Sequence, residues 1–457
     1  MNASAKDLHP TLVVGLGKTG VSCVRFLLQQ GKAVKAVDSR ADPPGLEELL
    51  QDYPQLQYSL GPFAQQEFEQ AEEIVLSPGV AMSIPQVQAA QRAGVTCVGD
   101  VELFARHARA PVVAVTGSNG KSTVVSLIAG MLEAGGLRVA LGGNIGTPVL
   151  ELLRGPEPDY YVLELSSFQL ETTLSLNAAV SVILNLTEDH MDRYQSFTQY
   201  CEAKARVYQG DGVIVAANDE TAVQQLLPDG RKVLFYGKAD TETVPVFAVE
   251  SSASEAWISH RGEPVLTASQ LRLQGRHNLY NVAAAMTVCE ALGVAVDTMC
   301  RFAAGFCGLP HRMQFVAEHR GVRWINDSKG TNVGATVAAV QGLNAKTVLI
   351  AGGIAKDADF SALAPVLAQH AHGLILFGRD AGMIAQAVDQ VVPVQFAVDL
   401  DDAVVQAAGL AQPGEIVLLS PACASFDMFS DFEDRGRQFI RAVKKYISNE
   451  CLENSQR

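Results

Sequence analysis

The 457-residue sequence predicts three α/β domains on largely parallel sheets, and three observations carry that expectation. The length is about three times the ~150 residues of an ordinary domain. Short runs rich in Val, Ile and Leu alternate with helix-like stretches, and they are continuous enough to be buried on both faces, as in a parallel sheet covered by helices. The alternation restarts after residue 310, beyond a proline-marked turn.

In chain order the strand-like runs are TLVVG (11–15), AVKAVD (33–38), EIVLS (73–77), VVAVTG (112–117), YYVLE (160–164), AVSVILN (179–185) and GVIVAAN (212–218). The second series is VRWIND (322–327), KTVLIAGG (346–353), HGLILFG (372–378) and EIVLLS (415–420). Between 240 and 275 the texture becomes polar and turn-rich, which predicts a small antiparallel sheet. Boundaries near residue 100 and near Pro310 divide the chain into 1–100, 101–309 and 310–457.

Composition narrows the function. With 48% hydrophobic and 18% charged residues, each unit has material for a core. A formal charge of -14, with no Lys/Arg block, argues against a nucleic-acid partner but leaves small nucleotides open, since local N–H groups and one or two cations outweigh a distant net charge. No run of about 18 apolar residues predicts membrane insertion. The start, MNASAKDLHP, lacks the basic and apolar regions of an export signal, so the cytoplasm is the expected location. Eight scattered cysteines without a CxxC pair read as reduced and mostly buried. A monomer is expected.

TGSNGKST (116–123) joins a strand-like run to a helix-like one. Gly117 and Gly120 let the backbone turn its N–H groups toward phosphate oxygens, Lys121 adds a mobile cation, and Ser122 or Thr123 offers a hydroxyl to Mg²⁺. The common G-x-x-x-x-G-K-[ST] pattern would place a glycine where Val115 stands. Candidate metal ligands follow at the ends of the next strands: Glu164, then Glu188, Asp189, His190 and Asp192 in TEDHMD. A second glycine turn, GLGKTG (15–20), fits G-x-G-x-x-G, with Asp38 about 20 residues on. That spacing suits an NAD-dependent oxidoreductase as well as any other ligand that offers a diphosphate and a ribose hydroxyl.

TGSNGKST, LELSSFQLE (163–171), NLTEDHMDRY (185–194), GRHNLYN (275–281), LPHRMQ (309–314), NDSKGTN (326–332) and SPACASFDMF (420–429) resemble, in order, the motifs of the Mur ligase family, in which the loop is written G-x-x-G-K-[ST]. The resemblance spans all three predicted domains. It implies a Rossmann-like first domain, a central P-loop ATPase-like domain and a Rossmann-like third domain. The implied reaction is ATP-dependent amide formation through an acyl phosphate, and the pattern is nearest to the members that add D-glutamate to UDP-N-acetylmuramoyl-L-alanine in peptidoglycan precursor synthesis. Another Mur-type or folylpolyglutamate-type ligase is the alternative within the same architecture.

By this resemblance Gly117, Ser118, Asn119, Gly120, Lys121, Ser122 and Thr123 cradle the ATP phosphates, while Asn278, Asn281, His311, Arg312 and Asp327 complete the nucleotide site. Ser122, Glu164, His190 and a CO₂-modified (carbamylated) Lys204 hold two Mg²⁺ ions, and Lys329 sits beside the reacting groups. Gly17, Lys18, Thr19, Asp38, Ser39, Arg40, Ser77, Pro78, Gly79, Asn144 and Gln169 contact the UDP-sugar. Thr331, Lys356, Ser425 and Phe432 contact D-glutamate. Ile354 stands where the pattern often carries an acid. The third domain is expected to close on the other two as a rigid body.

Overall fold

The computed structural model of the chain describes residues 9–455, apart from 240–242, 254, 274, 344 and 357, and beyond residue 450 the backbone alone. Residues 1–8 of the stretch read for an export signal, and the Cys451 side chain, lie outside the described residues. Among the described residues there are three sheets, of five, nine and six strands.

The first sheet runs Gln57–Leu60, Val34–Asp38, Thr11–Val14, Glu73–Leu76, Thr96–Val98 from edge to edge, every pair parallel. Its central strand Thr11–Val14 is buried throughout, as expected of a strand covered by helices on both faces.

The second sheet is centred on Val112–Thr116, flanked by the parallel strands Tyr160–Glu164 and Val180–Ile183. The predicted antiparallel hairpins at Phe247–Ser251, Ala256–His260 and Glu263–Thr267 exist, but they are not a separate sheet. Phe247 pairs in parallel with Tyr236 of Val233–Gly237, which extends the central sheet to nine strands.

The third sheet is parallel except for one edge, where Gln314–His319 pairs antiparallel with Val322–Asn326. The final helix, Phe432–Ser455, lays Phe439 and Val443 against Trp324 and Val417 of this sheet. Its first residue stands at the edge where the strands end.

Ligands in open parallel sheets bind beyond the carboxyl ends of the strands. In the second sheet those ends lead into Gly117, Leu165 and Leu184; in the third they lead into Asp327, Gly352 and Ser420. Among the described residues no helix is long and apolar enough to cross a membrane.

Candidate active site

The loop after Val112–Thr116 is shaped by two glycines. Gly117 has φ +148°, and a Cβ there would press on Leu184 at 3.1 Å; Gly120, at the N-cap of helix Lys121–Ala134, has φ +82°, and a Cβ would sit 2.5 Å from Asn281 Oδ1. Both positions need glycine for conformation and for space. Asn185 braces the loop, accepting from the Asn119 N–H at 2.8 Å and donating to the Asn119 carbonyl at 3.1 Å. Lys121 Nζ folds back on the Gly117 and Ser118 carbonyls at 2.8 and 2.9 Å.

Glu164, 2% exposed, ends the neighbouring strand and accepts from the Ser122 hydroxyl and from Asn144 Nδ2, the latter at 2.7 Å. Burial pushes its pKa up, but Lys121, Ser122, Asn144 and Arg312 outweigh burial and hold the carboxyl below its ordinary value. A charged carboxylate touching a hydroxyl is a pair of hard oxygen donors of the kind that divalent cations such as Mg²⁺ prefer. Among the described residues no group of three or more His, Cys, Asp or Glu is arranged to hold a metal by itself.

His190 adopts φ +58° and packs its ring 4.8 Å from that of Phe168. Burial lowers its pKa despite Asp189 beside it, so the imidazole is neutral near pH 7. Lys204 is 2% exposed; its Nζ donates to the Gly117 carbonyl at 3.0 Å and lies 4.7 Å from the Tyr200 ring centre. Burial first, and the like charge of Lys121 second, bring its pKa well below the ordinary lysine value.

The third domain faces this loop across a cleft of about 1040 Å³. Arg312 Nη2 donates to the Ser122 hydroxyl at 2.5 Å, Asn332 Nδ2 reaches Asn119 Oδ1 at 3.3 Å and Asp189 Oδ2 at 3.2 Å, and Lys356 Nζ lies 3.9 Å from Asp189 Oδ1. Asp327 is buried, which raises its pKa to about 6 although Ser420 donates to it at 2.8 Å. Lys329 lies 4.0 Å over the Phe432 ring, and burial with the Arg312 charge lowers its pKa to about 8. Thr331, Lys356, Ser425 and Phe432 all line the cleft.

Of the predicted nucleotide and metal positions, Ser118, Asn119, Gly120, Lys121, Ser122, Thr123, Glu164, His190, Lys204, Asn278, Asn281, Arg312 and Asp327 line this cleft, while Gly117 and His311 stand behind it. His311 instead contacts Asn326 Nδ2 through Nδ1 at 2.9 Å. Five of the eight non-glycine residues with positive φ among the described residues cluster here: His190, His311, Met313, Lys356 and Ala422. Such backbone costs about 1–3 kcal/mol each and collects at functional sites.

The first glycine turn lies outside the cleft. Gly15 has φ +90°, a Cβ at Gly20 would strike the Gly15 carbonyl at 1.8 Å, and helix Lys18–Gln29 begins immediately. The Ser77 hydroxyl donates to the Gly15 carbonyl at 2.6 Å, packing the Ser77–Pro78–Gly79 turn beside it. Asp38 accepts from the Leu16 N–H at 2.6 Å and pairs with Arg40, and Lys18 Nζ reaches the Gly146 carbonyl at 2.8 Å. Gln169, predicted at the sugar, is 3% exposed and spends its amide on Asp100 and on capping Ser166; Asn144 is likewise engaged by Glu164.

Sequence reading missed several supports. Arg193 donates to the Pro78 and Val80 carbonyls at 2.8 and 3.1 Å and to Glu171 at 3.1 Å, tying the first domain to the second. It lay within the quoted TEDHMDRY motif, but nothing local marks an arginine as an inter-domain tie. Asn332 closes NDSKGTN in the same way, unremarked until the fold sets it opposite Asn119. The Ile354 departure leaves its surroundings intact, because its contact is made by the main chain, exchanging N–H···O bonds of 2.9 Å with Ala424.

Residues 9–99 match the Mur ligase MurD-like N-terminal domain, 115–289 the Mur ligase middle domain and 311–423 the Mur ligase glutamate ligase domain. A UDP-N-acetylmuramoylalanine--D-glutamate ligase of Nitrosococcus oceani is 47% identical over 440 residues, covering 96% of this chain and 97% of its own. The enzyme of that name from Pseudomonas fluorescens is 44% identical over 448 residues, covering 97% and 99%. Among solved structures, the MurF ligase of Thermotoga maritima in complex with ADP superposes with a TM-score of 0.62 at 16% identity, covering 91% of this chain and 95% of its own, and so shares the fold. With three consecutive domain matches and relatives near half identical along almost its whole length, the chain belongs to the Mur ligase family.

Proposed function

We propose that this protein is an ATP-dependent amide ligase that joins D-glutamate to UDP-N-acetylmuramoyl-L-alanine. One observation carries the reading: Arg312 of the third domain meets the Ser122 hydroxyl of the phosphate loop, so nucleotide candidates and amino-acid candidates bound one cleft. The relatives' shared name selects the substrates.

The alanyl carboxylate attacks the γ-phosphorus of ATP, giving an acyl phosphate and ADP; the D-glutamate amine then adds to the acyl carbon, loses a proton and expels phosphate. Both steps gather negative charge on phosphoryl oxygens, so positioned cations do most of the work. Lys121 is placed to leave the Gly117 and Ser118 carbonyls for the phosphates, while Arg312 and Lys329 face them from the third domain. Glu164, Ser122 and His190 would hold Mg²⁺, which supplies charge neutralisation of the triphosphate when bound. Lys356, Ser425 and Thr331 take the two carboxylates of D-glutamate.

The GLGKTG turn, with Lys18, Asp38 and Arg40, holds the uridine diphosphate: helix N–H groups meet the diphosphate and the acid meets a ribose hydroxyl. Closure of the third domain, a cytoplasmic location and a monomeric state belong to the same reading.

Lys204 suits carbamylation on physical grounds. A buried amine whose pKa is brought well below the ordinary lysine value sheds its proton more readily, which favours attack on CO₂; N–C bond formation releases a proton and leaves an anion able to face Mg²⁺. Lys204→Ala should lose most activity, and added bicarbonate or small carboxylates should affect it differently from the wild type; full activity in that variant would remove the carbamate.

Phosphate release with ATP and Mg²⁺ tests the whole reading, with UDP-N-acetylmuramoyl-L-alanine and D-glutamate supplied singly and together and L-glutamate as control. Release that needs both substrates and favours the D-isomer supports it. Release indifferent to the amino acid would sink it.

A further inference from the structure

The four predicted amino-acid contacts come from separate segments, and a single side chain behind them touches the backbone of three. Arg435, near the start of the final helix, is 0% exposed. Its Nε donates to the Ser328 hydroxyl at 3.0 Å and Nη2 to the Ser328 carbonyl at 2.9 Å, while Nη1 donates to the Cys423 carbonyl at 3.1 Å and to the Gly352 carbonyl at 3.5 Å. The Ser328 hydroxyl in turn donates to the Phe432 carbonyl at 2.8 Å, which brings in the fourth segment.

Each tethered point lies next to something the cleft uses. Ser328 sits between Asp327 and Lys329, Gly352 opens the loop that ends at Lys356, and Cys423 lies two residues before Ser425. Two of these segments are strained: Lys356 has φ +51° and Ala422 φ +58°. Non-glycine residues persist in that region only when surrounding bonds over-determine them. The guanidinium's planar fork, with five fixed donors, suits several carbonyls at once in a way that a lysine does not.

The charge also calls for a reason. Among the described residues Arg435 forms no ion pair with a carboxylate, although burying an unpaired cation is costly and a buried apolar side chain would pack the same space without that cost. A positive charge in a low-dielectric wall, partly offset by Asp427 and Asp327 acting on it through space, lowers the energy of a dianionic amino acid held in front of it.

We propose that Arg435 is a positioning residue for the acceptor amino acid: it fixes the three backbone segments that aim Lys329, Lys356 and Ser425, and its buried charge favours a dicarboxylate over a monocarboxylate. The inference rests on the amide-ligase reading above.

The test compares wild type with Arg435→Lys, which keeps the charge and loses the fork, and Arg435→Gln, which loses both. For each, KM is measured for ATP, for UDP-N-acetylmuramoyl-L-alanine and for D-glutamate, together with the melting temperature. The expected result is a rise of about tenfold or more in the D-glutamate KM of Arg435→Lys, larger still in Arg435→Gln, with a several-fold smaller change in the ATP KM, transmitted through Lys329. Proportional changes in all three KM values, following the melting temperature, would mean a merely structural role and overturn the proposal, as would an unchanged D-glutamate KM. If both variants fail to fold, Ser328→Ala carries the same test: it removes the hydroxyl between Arg435 and Phe432 and should raise the D-glutamate KM by more than the ATP KM. Wild-type protein that releases no phosphate with both substrates present would refute the ligase reading itself; wild-type turnover with unselective variants would refute only the role of Arg435.

Discussion

The glycine turns at 15–20 and 117–123 share one local pattern, a buried parallel strand followed by glycines and a helix, yet their surroundings differ in kind. Beside the first, the nearest carboxylate is Asp38, already neutralised within its own domain by Arg40 and by the Leu16 N–H. Beside the second, Glu164 lies buried against Ser122, with Lys121 of the same loop and Arg312 of another domain around it. A glycine fingerprint establishes that backbone N–H groups are open to an anion. What happens to that anion depends on neighbours brought in by the fold: on the reading proposed above, the first turn holds a phosphate group and the second polarises one.

If that contrast is right, substitutions at the two turns should separate cleanly. The largest effect belongs to Lys121→Ala, expected to lower kcat/KM for ATP by about 10³-fold through loss of a cation on the transferred phosphoryl group. Binding of UDP-N-acetylmuramoyl-L-alanine, measured by calorimetry, should stay within about twofold. Next, Glu164→Gln should cost about 10²-fold in kcat and shift the Mg²⁺ titration to higher concentration. An unshifted titration would remove Glu164 from the metal site.

At the first turn the effect should be smaller and of the opposite selectivity. Lys18→Ala should raise the KM for UDP-N-acetylmuramoyl-L-alanine by about tenfold, the worth of one charge-assisted contact, and leave the ATP KM alone. Equal effects on both substrates would blur the comparison.

Two titrations sharpen it further. Lys329, lowered to about 8, should lose its charge as pH rises, so kcat/KM for ATP should fall above about pH 8, and Lys329→Arg should flatten that limb. The Asp38 pKa of about 2 is set first by its hydrogen bond from Arg40 and lies below the ordinary 3.8. Its stabilisation is therefore fully present above about pH 4 and lost as pH falls through about 2; allowing for the half-exposed Arg40, Asp38→Asn should remove about 1 kcal/mol of pH-dependent stability in acid-unfolding curves.

Much of the architecture was legible because parallel strands buried on both faces are written as unbroken apolar runs: Thr11–Val14, Val112–Thr116 and Ile416–Leu419 are buried at every position. Strands at the edges were not. Gln57–Leu60 and Val394–Phe396 are short and largely exposed, so their sequence carries neither a continuous run nor a clean alternation. The hairpin region looked like a separate sheet because only a short pairing, Tyr236 with Phe247 and Gly237 with Ala248, attaches it to the larger one.

The site divides the same way. The phosphate loop is seven consecutive residues whose purpose is local, and sequence shows it. The face proposed for the amino acid is assembled from segments starting at Asp327, Gly352, Ser420 and Phe432, bonded together by Arg435 and Ser328, and no spacing rule links those positions. Gln169 and Asn144, which motif resemblance assigned to the substrate, are bonded to Asp100, Ser166 and Glu164, and Asn144 also lines the cleft.

The central claim is that the cleft lets a substrate carboxylate attack the γ-phosphate of ATP. It is tested most directly by labelling the alanyl carboxylate of UDP-N-acetylmuramoyl-L-alanine with ¹⁸O and weighing the phosphate released during turnover with D-glutamate. Transfer of one ¹⁸O atom into each phosphate is the predicted result. Unlabelled phosphate, with the oxygen displaced from the carboxylate lost to water instead, would contradict the account.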